Sequence, residues 1–581
     1  MGFLTYFQHK KNKFEYIHRL GKTLAEERLR TDILIIGGGA AGLNAALSAR
    51  EVGREVVVMD KAVIERSGHF AGGIDHFAAY LNTGPDWDTR EAYLDFTARS
   101  ARGATNLEVV EKVYCDQLQN AIKRFDAIGC SLRRADNTFF RTQSYGQPGP
   151  WWINFNGKRL KPLLGQAARK AGCRVLDRVV TADILIDDGK ACGAAGFHIR
   201  SGTFYVVQAK AVLIATGGTN RLYQNPTGLS FNCWMCPANT GDGEAMAFRA
   251  GARLANVEYL RMTLIPRGFS AAGLNALVGM GGILVNGKGE AFMKRYDLLG
   301  MKGPRYKLAE GVLGEIKAHR GPVFVDCRHL DPEALAHLEA TLGYDKDTLP
   351  DFFKQKGIDL SRDLLEIATS EGMQGGPNEV CGSGIKIDAD CATSVPGLFA
   401  AGNSADQCRS LHMATTSGIR AGIAMAAFTS GSAARELPVP ETQLERIRQR
   451  IYGPLKESRS VDWREFEDVL QRILTEGMGP ARSDWGMKQA WQKLDLLEKW
   501  QDEVRARTYH DLCRAQEVYN MLTVARCMIT AARYRKESRF GQCHHRLDYP
   551  QTDDERWLGQ IAVDRDASGN PRTHFLPIRY D

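Results

Sequence analysis

The sequence predicts an α/β fold of the doubly wound, Rossmann-like type, and three stretches predict it. Ile33–Ile36 run into Gly37-x-Gly39-x-x-Gly42, Ala211–Ala215 run into Thr216-Gly217-Gly218, and Leu398–Ala401 run into Gly402-Asn403. Each is an apolar strand that stops at a glycine turn, where an open parallel sheet presents backbone N–H groups to a nucleotide. A simple dinucleotide-binding domain would confine this signature to one contiguous unit. Three copies far apart along the chain describe a two-dinucleotide-type flavin domain interrupted by other segments, and the implied cofactor is FAD.

The first stretch carries the most detail. Gly37 permits the tight turn, Gly39 lets a pyrophosphate approach the backbone, and Gly42 lets helix and strand pack closely. A helix through Leu43–Ala49 follows, with Ala40 and Ala41 in its first turn beside the phosphates. Its N-terminus supplies N–H donors and the positive end of a dipole. A second apolar strand, Glu55–Met59, ends on Asp60, placed about 20 residues on to take ribose hydroxyls. Lys61 adjoins it as a further cofactor contact.

Composition bounds the rest. The 581 residues exceed what one core organises, so several domains are expected. Hydrophobic content of 44% and charged content of 25% are ordinary for a globular chain. No apolar run approaches the ~18 residues of a membrane span. Residues 1–30 are basic and aromatic without a long apolar core, so they read as an amphipathic N-terminal arm and not as a secretory signal. The net charge of +8 is spread along the chain, which argues against a nucleic-acid partner and for some bias toward anions. The 13 cysteines form no framework, which suits a reduced, cytoplasmic protein. Cys233 and Cys236 are the one close pair. No second pair completes a metal or iron–sulfur site, so no metal is expected; the two read as semi-buried thiols or as a redox dithiol.

Between the second and third signatures, short strands (Gly282–Val285, Pro322–Val325) alternate with helical segments (Leu308–Lys317, Pro332–Leu342), an α+β insertion. Residues 441–535 are helical by period, with Leu444, Ile447, Ile451 and Leu455 at one spacing and Leu494, Leu497, Trp500 and Val504 at another. The last helix runs from about Leu512 to Tyr534, and a polar, irregular stretch follows to Asp581. A Gly/Ala-rich helix is expected from about Ser417 to Phe428. The expected division is an arm (1–30), a first FAD-binding part (31–258), the insertion (259–374), a second FAD-binding part (375–430) and a C-terminal helical domain with tail (431–581).

These anchors, with Arg66-Ser67-Gly68, Gly241-Asp-Gly-Glu-Ala-Met246 and Gly281-Gly-Ile-Leu-Val285, resemble the fumarate reductase/succinate dehydrogenase flavoprotein superfamily. Within it the chain most resembles the dissimilatory adenylylsulfate reductase α subunit, through Asn156-Gly-Lys-Arg-Leu-Lys-Pro162, Ala194-Ala-Gly-Phe-His198, Phe204-Tyr-Val-Val and Gly418-Ile-Arg-Ala-Gly-Ile-Ala424. The resemblance implies that the insertion caps the isoalloxazine. It adds Ser67, Gly68, Ala215, Thr216, Gly217, Asp242, Gly402, Asn403, Thr416 and Ser417 to the cofactor contacts. It also implies an iron–sulfur, ferredoxin-like electron partner, in a heterodimer or larger oligomer, and two-electron chemistry at flavin N5 on a small anionic, sulfur-containing or oxyanionic substrate. Some members attach FAD to a His in the Arg-Ser-His turn; here that slot is Gly68, with His69 one place later, and non-covalent FAD is expected.

The chain also departs from the family pattern. Val278-Gly-Met280 stands where fumarate reductases carry an Arg and a Glu. Glu379-Val-Cys-Gly-Ser-Gly-Ile385 lacks their substrate His, Met413–Gly418 lacks their late Arg, and a small residue, Ala78, stands where an Asn is expected. Four candidates for catalysis remain. Arg267 would bind an anion at the edge of the cap. His412 would act as acid or anion ligand beside a helix N-terminus. Glu379, with Gln374 and Asn378, lies in a Gly-rich loop, and Trp234 would lie against substrate or flavin. Two other readings stay open, a fumarate reductase-type reduction of an α,β-unsaturated carboxylate and a non-catalytic electron-relay subunit.

Overall fold

The computed structural model describes residues 25–143, 145–225, 233, 235–269, 274–345, 348–378, 380–431 and 438–580. β1 (Glu26–Ile36), α1 (Ala40–Glu51) and β2 (Val56–Asp60) form the opening βαβ unit. Ile33–Ile36 are buried, as a parallel strand covered on both faces must be. After α2 (Leu160–Lys170) come β3 (Arg174–Asp177), β4 (Val179–Asp187), β5 (Lys190–His198) and β6 (Phe204–Ile214). Helix α3 (Asp242–Arg249) leads out of this region.

A second layer follows: β7 (Leu264–Pro266), β8 (Ile283–Val285), α4 (Arg305–Lys317), β9 (Val323–Asp326) and β10 (Leu365–Thr369). These strands make an antiparallel sheet in the order β7-β10-β9-β8, over a separate apolar core that includes Leu284, Leu308, Val325 and Leu338. The chain then re-enters the first sheet through β11 (Leu398–Ala400) and α5 (Ser410–Ser430). The main sheet has seven strands, ordered β3-β2-β1-β6-β5-β4 with β11 also paired to β6. β1 is parallel to both neighbours, Ile33 lying opposite Val56 and Ala211.

Helices α6 (Trp463–Gly477), α7 (Asp484–Glu498) and α8 (Tyr509–Tyr534) build the C-terminal layer. Among the described residues no helix is long and apolar enough to cross a membrane. Helices α1 and α5 pack backbone to backbone. A Cβ at Gly418 would stand 2.2 Å from the Ala41 carbonyl oxygen, and one at Gly422 2.5 Å from that of Ala45. Glycines at these two positions therefore bring the N-terminus of α5 to the first glycine turn.

Three differences from the sequence reading have local causes. Helix α5 starts at Ser410 and not near Ser417. Thr415 and Thr416 are weak helix formers by propensity, but their hydroxyls donate back to the Leu411 and His412 carbonyls (2.8 and 3.0 Å) and are accommodated within the helix. The tail is not irregular: β12 (Gly559–Arg565) and β13 (Pro571–Pro577) form a hairpin paired to Leu254–Ala255. Its short Ile-Ala-Val run and its turn at Asp566–Asn570 were the available signals. Of the N-terminal arm, residues 1–24 lie outside the described residues, and Glu26–Arg30 already belong to β1.

Candidate active site

The three glycine turns converge on one cleft. Gly37, Gly39, Ala40, Ala41, Asp60, Lys61, Ser67, Gly68, Ala215, Thr216, Gly217, Asp242, Gly402 and Asn403 all line it. Gly37 has φ +101°, and a Cβ there would lie 2.4 Å from the Ala215 carbonyl oxygen. A Cβ at Gly68 would approach the Gly39 Cα at 4.0 Å, so the cleft floor is bare backbone. The Thr216 hydroxyl, buried and without a hydrogen-bond partner, edges the same space. Bare backbone, an orphan hydroxyl and the N-termini of α1 and α5 fit the diphosphate and hydroxyl groups of FAD.

Five predicted contacts play other or additional parts. Gly42 is a packing residue, its Cβ position 1.9 Å from the Gly37 carbonyl oxygen. Thr416 and Ser417 lie a turn deeper in α5, where the Ser417 hydroxyl accepts the Gly402 N–H at 3.0 Å and so braces the third turn. Asp60 braces the first: its carboxylate accepts the N–H groups of Gly38 (2.7 Å) and Ala62 (2.8 Å) and the Ser67 hydroxyl (2.8 Å). Lys61 is an ion-pair centre as well as a cleft residue, 2.6 Å from Asp242 and 3.1 Å from Glu517 of α8. Burial pulls its pKa down, but those two carboxylates prevail and hold it above the ordinary value. His69, which the sequence placed one position past the attachment slot, lines the cleft too; sequence reasoning missed Phe70, Thr181, Asn239, Ser410 and Leu411, which line it from segments without a glycine signature.

A second cleft of about 310 Å³ lies on the other side of the first turn of α5. Ser410 and Leu411 face the FAD cleft, whereas His412 lines the second. The buried His412 ring is met edge-on by Tyr114, Trp152 and Phe77 at 5.5, 5.8 and 5.9 Å. Opposite, at the start of α4 in the cap, stands Arg305, 5% exposed. It donates to the Thr263 hydroxyl at 3.0 Å, and its guanidinium lies 4.3 Å from the Tyr145 ring centroid. Tyr93, Phe96, Trp152, Tyr306 and Phe540 complete the aromatic walls, with Arg99, Gln147 and Asn378 among the polar positions. Among the described residues no carboxylate lines this cleft.

Arg267 is not in it. The residue follows the end of β7 on the rim of the cap sheet, its side chain 66% exposed and ion-paired with Glu366 of β10. Arg305, whose signal in the sequence was only a helix start after Pro304, stands in the position expected of Arg267. Glu379 and Trp234 lie outside the described residues. Asn378 lines the cleft and caps the loop, accepting the Val380 and Cys381 N–H groups at 3.0 and 2.8 Å. Cys233 and Cys236 are unbridged, and burial pushes both thiols up. The described residues hold no cluster of three or more metal-ligating side chains.

Gln374 turns away from the cleft toward Glu244 of α3. With the amide oriented to donate, its nitrogen lies 2.6 and 2.9 Å from the carboxyl oxygens, and the Thr219 hydroxyl donates to the same carboxyl at 2.6 Å. Burial pushes Glu244 up to about 8, against the pull of Thr219 and Arg409. A carboxyl that binds its proton more tightly when folded loses stability as pH rises from its unfolded range to about 8. Glu244→Gln should therefore unfold at a higher temperature than the parent at pH 8 and show no advantage near pH 4. The gain at pH 8 should reach at least about 1.4 kcal/mol, the worth of one pKa unit. Thermal unfolding across that range measures it, and an equal shift at both pH values would contradict it.

Comparison with known proteins agrees with this geometry. The family model described as "FAD binding domain" matches residues 32–418, and "Fumarate reductase flavoprotein C-term" matches residues 467–581. An FAD-dependent oxidoreductase of Methanocaldococcus jannaschii is 28% identical, covering 92% of this chain and 96% of its own. A CoM/CoB fumarate reductase chain of Methanothermobacter marburgensis is 26% identical, covering 93% and 98%. The solved adenylylsulfate reductase of Archaeoglobus fulgidus has the same fold, with a TM-score of 0.84 at 22% identity over 96% of this chain and 97% of that one. The chain therefore belongs to the FAD-binding flavoprotein family of the fumarate reductases and succinate dehydrogenases, and it is an FAD-dependent oxidoreductase.

Proposed function

We propose that the second cleft is the substrate site and that the chain passes two electrons between FAD and a small anion bound there, after the manner of the adenylylsulfate reductase α subunit. The observation that carries this reading is the cleft lining: Arg305 and His412 line one space with aromatic walls, one helical turn from the FAD cleft. Bound FAD supplies two-electron acceptance and donation at N5. Arg305 binds the anion through a buried, charge-assisted hydrogen bond. His412 holds or delivers a proton at a ring nitrogen. The N-terminus of α5 offers its positive dipole end to negative charge developing between the two clefts. The aromatic rings exclude water, which strengthens each of these interactions.

The aromatic walls favour a sulfur-containing or oxyanionic substrate with a larger flat body than fumarate has. Val278-Gly-Met280, in place of an Arg and a Glu, points the same way. FAD is held non-covalently, so acid precipitation should leave the flavin in the supernatant. The electrons are exchanged with a ferredoxin-like iron–sulfur partner in the cytoplasm. The test is an anaerobic titration of the reduced enzyme with adenylylsulfate, sulfite and fumarate, followed by flavin absorbance. Reoxidation of the reduced enzyme by adenylylsulfate is expected, or, in a parallel titration of the oxidised enzyme, bleaching of the flavin by sulfite. Reoxidation by fumarate alone would overturn this reading in favour of an unsaturated-carboxylate reductase.

A further inference from the structure

We propose that Lys161 is a positioning residue for the cofactor. From beneath the first glycine turn it sets the Gly38–Gly39 peptide plane so that the Gly39 N–H faces the FAD diphosphate. Lys161 is the second residue of α2 and is fully buried, a rare place for a lysine without a task. Its ammonium donates to the Gly38 carbonyl. Across a trans peptide the C=O and the following N–H point in opposite directions. A Gly38 carbonyl drawn down to Lys161 therefore turns the Gly39 N–H up toward the cleft that Gly39 lines.

The peptide on the other side of Gly38 is fixed as well, because the Gly38 N–H donates to Asp60 at 2.7 Å. One glycine is thus clamped by a carboxylate on its nitrogen and by an ammonium on its oxygen. The same ammonium lies 5.6 Å from the ring centroid of Phe70, a cleft residue, so it touches two of the segments that hold the cofactor.

The charged groups facing Lys161 are Asp60 of β2, Glu65 of the loop after β2, and Asp177 of β3. Asp177 accepts the Ile64 N–H and an Arg169 N–H, and Glu65 is bonded to Arg169, so both acids have other partners. Burial pulls Lys161 down to about 8 despite the three acids. With the protein's own groups alone the ammonium is therefore half lost near that pH. The diphosphate of bound FAD adds negative charge across the turn and favours the protonated form. Binding and proton uptake are linked, and affinity falls as pH rises through about 8.

The experiment measures FAD binding to the full chain stripped of flavin, by quenching of FAD fluorescence and by calorimetry in two buffers of different ionisation enthalpy. For the parent protein the Kd for FAD should be flat below about pH 7 and weaken by up to about tenfold per unit above pH 8. Calorimetry at about pH 8.5 should show uptake of a fraction of a proton per FAD. Lys161→Gln should bind FAD about tenfold more weakly at pH 7, with no proton uptake at pH 8.5 and a flat pH profile. A lysine with only a packing role predicts parental pH dependence in Lys161→Gln, and that result would overturn the proposal. If Lys161→Gln does not fold, the parental calorimetry decides: binding without proton uptake at pH 8.5 overturns it.

Discussion

Arg305→Gln should keep its flavin and lose turnover on its anionic substrate by about 10²- to 10³-fold. The side chain is buried at the start of α4, stacked on Tyr145 and bonded to Thr263, so it is aimed before substrate arrives. Removing one partner of a buried, hydrogen-bonded charge pair costs about 2–5 kcal/mol, and each 1.4 kcal/mol is tenfold. Lys at the same position should rescue little, because a point charge cannot reproduce the planar fork or its stacking. Bound flavin should be unchanged, since Arg305 lines the second cleft and not the FAD cleft. Arg267→Ala is the matched control and should leave turnover unaltered, as its ion pair with Glu366 is largely solvated. Steady-state rates and flavin stoichiometry for both variants check this. A threefold or smaller effect of Arg305→Gln would remove Arg305 from the proposed site.

Arg535→Ala should destabilise the fold by about 3–5 kcal/mol, the cost of stranding buried charge. Arg535 follows α8 and is fully buried between Glu258 (2.9 Å) and Glu537 (2.7 Å), and it donates to the Trp557 and Gly559 carbonyls at 3.1 and 2.7 Å. One guanidinium thus joins the end of the first FAD-binding stretch, the turn after α8 and the root of the β12–β13 hairpin. Burial pushes Glu258 up while Arg535 pulls it down. Without Arg535, burial is opposed only by a backbone hydrogen bond and the more weakly acting Arg482, and it drives Glu258 further toward its protonated form. The penalty of the variant should therefore shrink as pH falls into the carboxylate range, because protonation discharges the stranded group. Urea unfolding at pH 7.5 and at pH 5 measures both parts. Equal destabilisation at the two pH values would mean that packing, and not stranded charge, sets the cost.

How much of this was legible in the sequence depended on how local each cause was. Glycine turns are legible because each answers to its own residues: Gly37 must adopt a positive φ, and Gly42 must sit against the Gly37 carbonyl. The strands feeding those turns are continuous apolar runs, and the amphipathic period of α6 and α7 is equally local. The β12–β13 hairpin was less visible because its strands are short and its pairing partner, Leu254–Ala255, is far away in the chain. The start of α5 was misplaced because Thr415 and Thr416 weigh against helix by propensity, yet their hydroxyls are satisfied only once that helix exists.

The site divides in the same way. By itself the sequence determined the cofactor and the positions of its glycine turns, since bare backbone beside a phosphate can be supplied only by residues without a side chain in the way. It also marked His412, a histidine shortly before the expected helix that follows the third glycine turn. Which arginine faces that histidine was decided by tertiary structure alone. Arg267 and Arg305 are both single arginines beside a proline in the cap. Only the packing of α4 against Tyr145 and Thr263 buries one of them in the cleft, while the pairing of β7 with β10 leaves the other in solvent. Lys161 is the extreme case: the sequence shows a lysine at a helix start, and only the fold brings its ammonium under the carbonyl of Gly38. Long-range burial sets both the pKa and the partner of such a group, and no short window of sequence contains either.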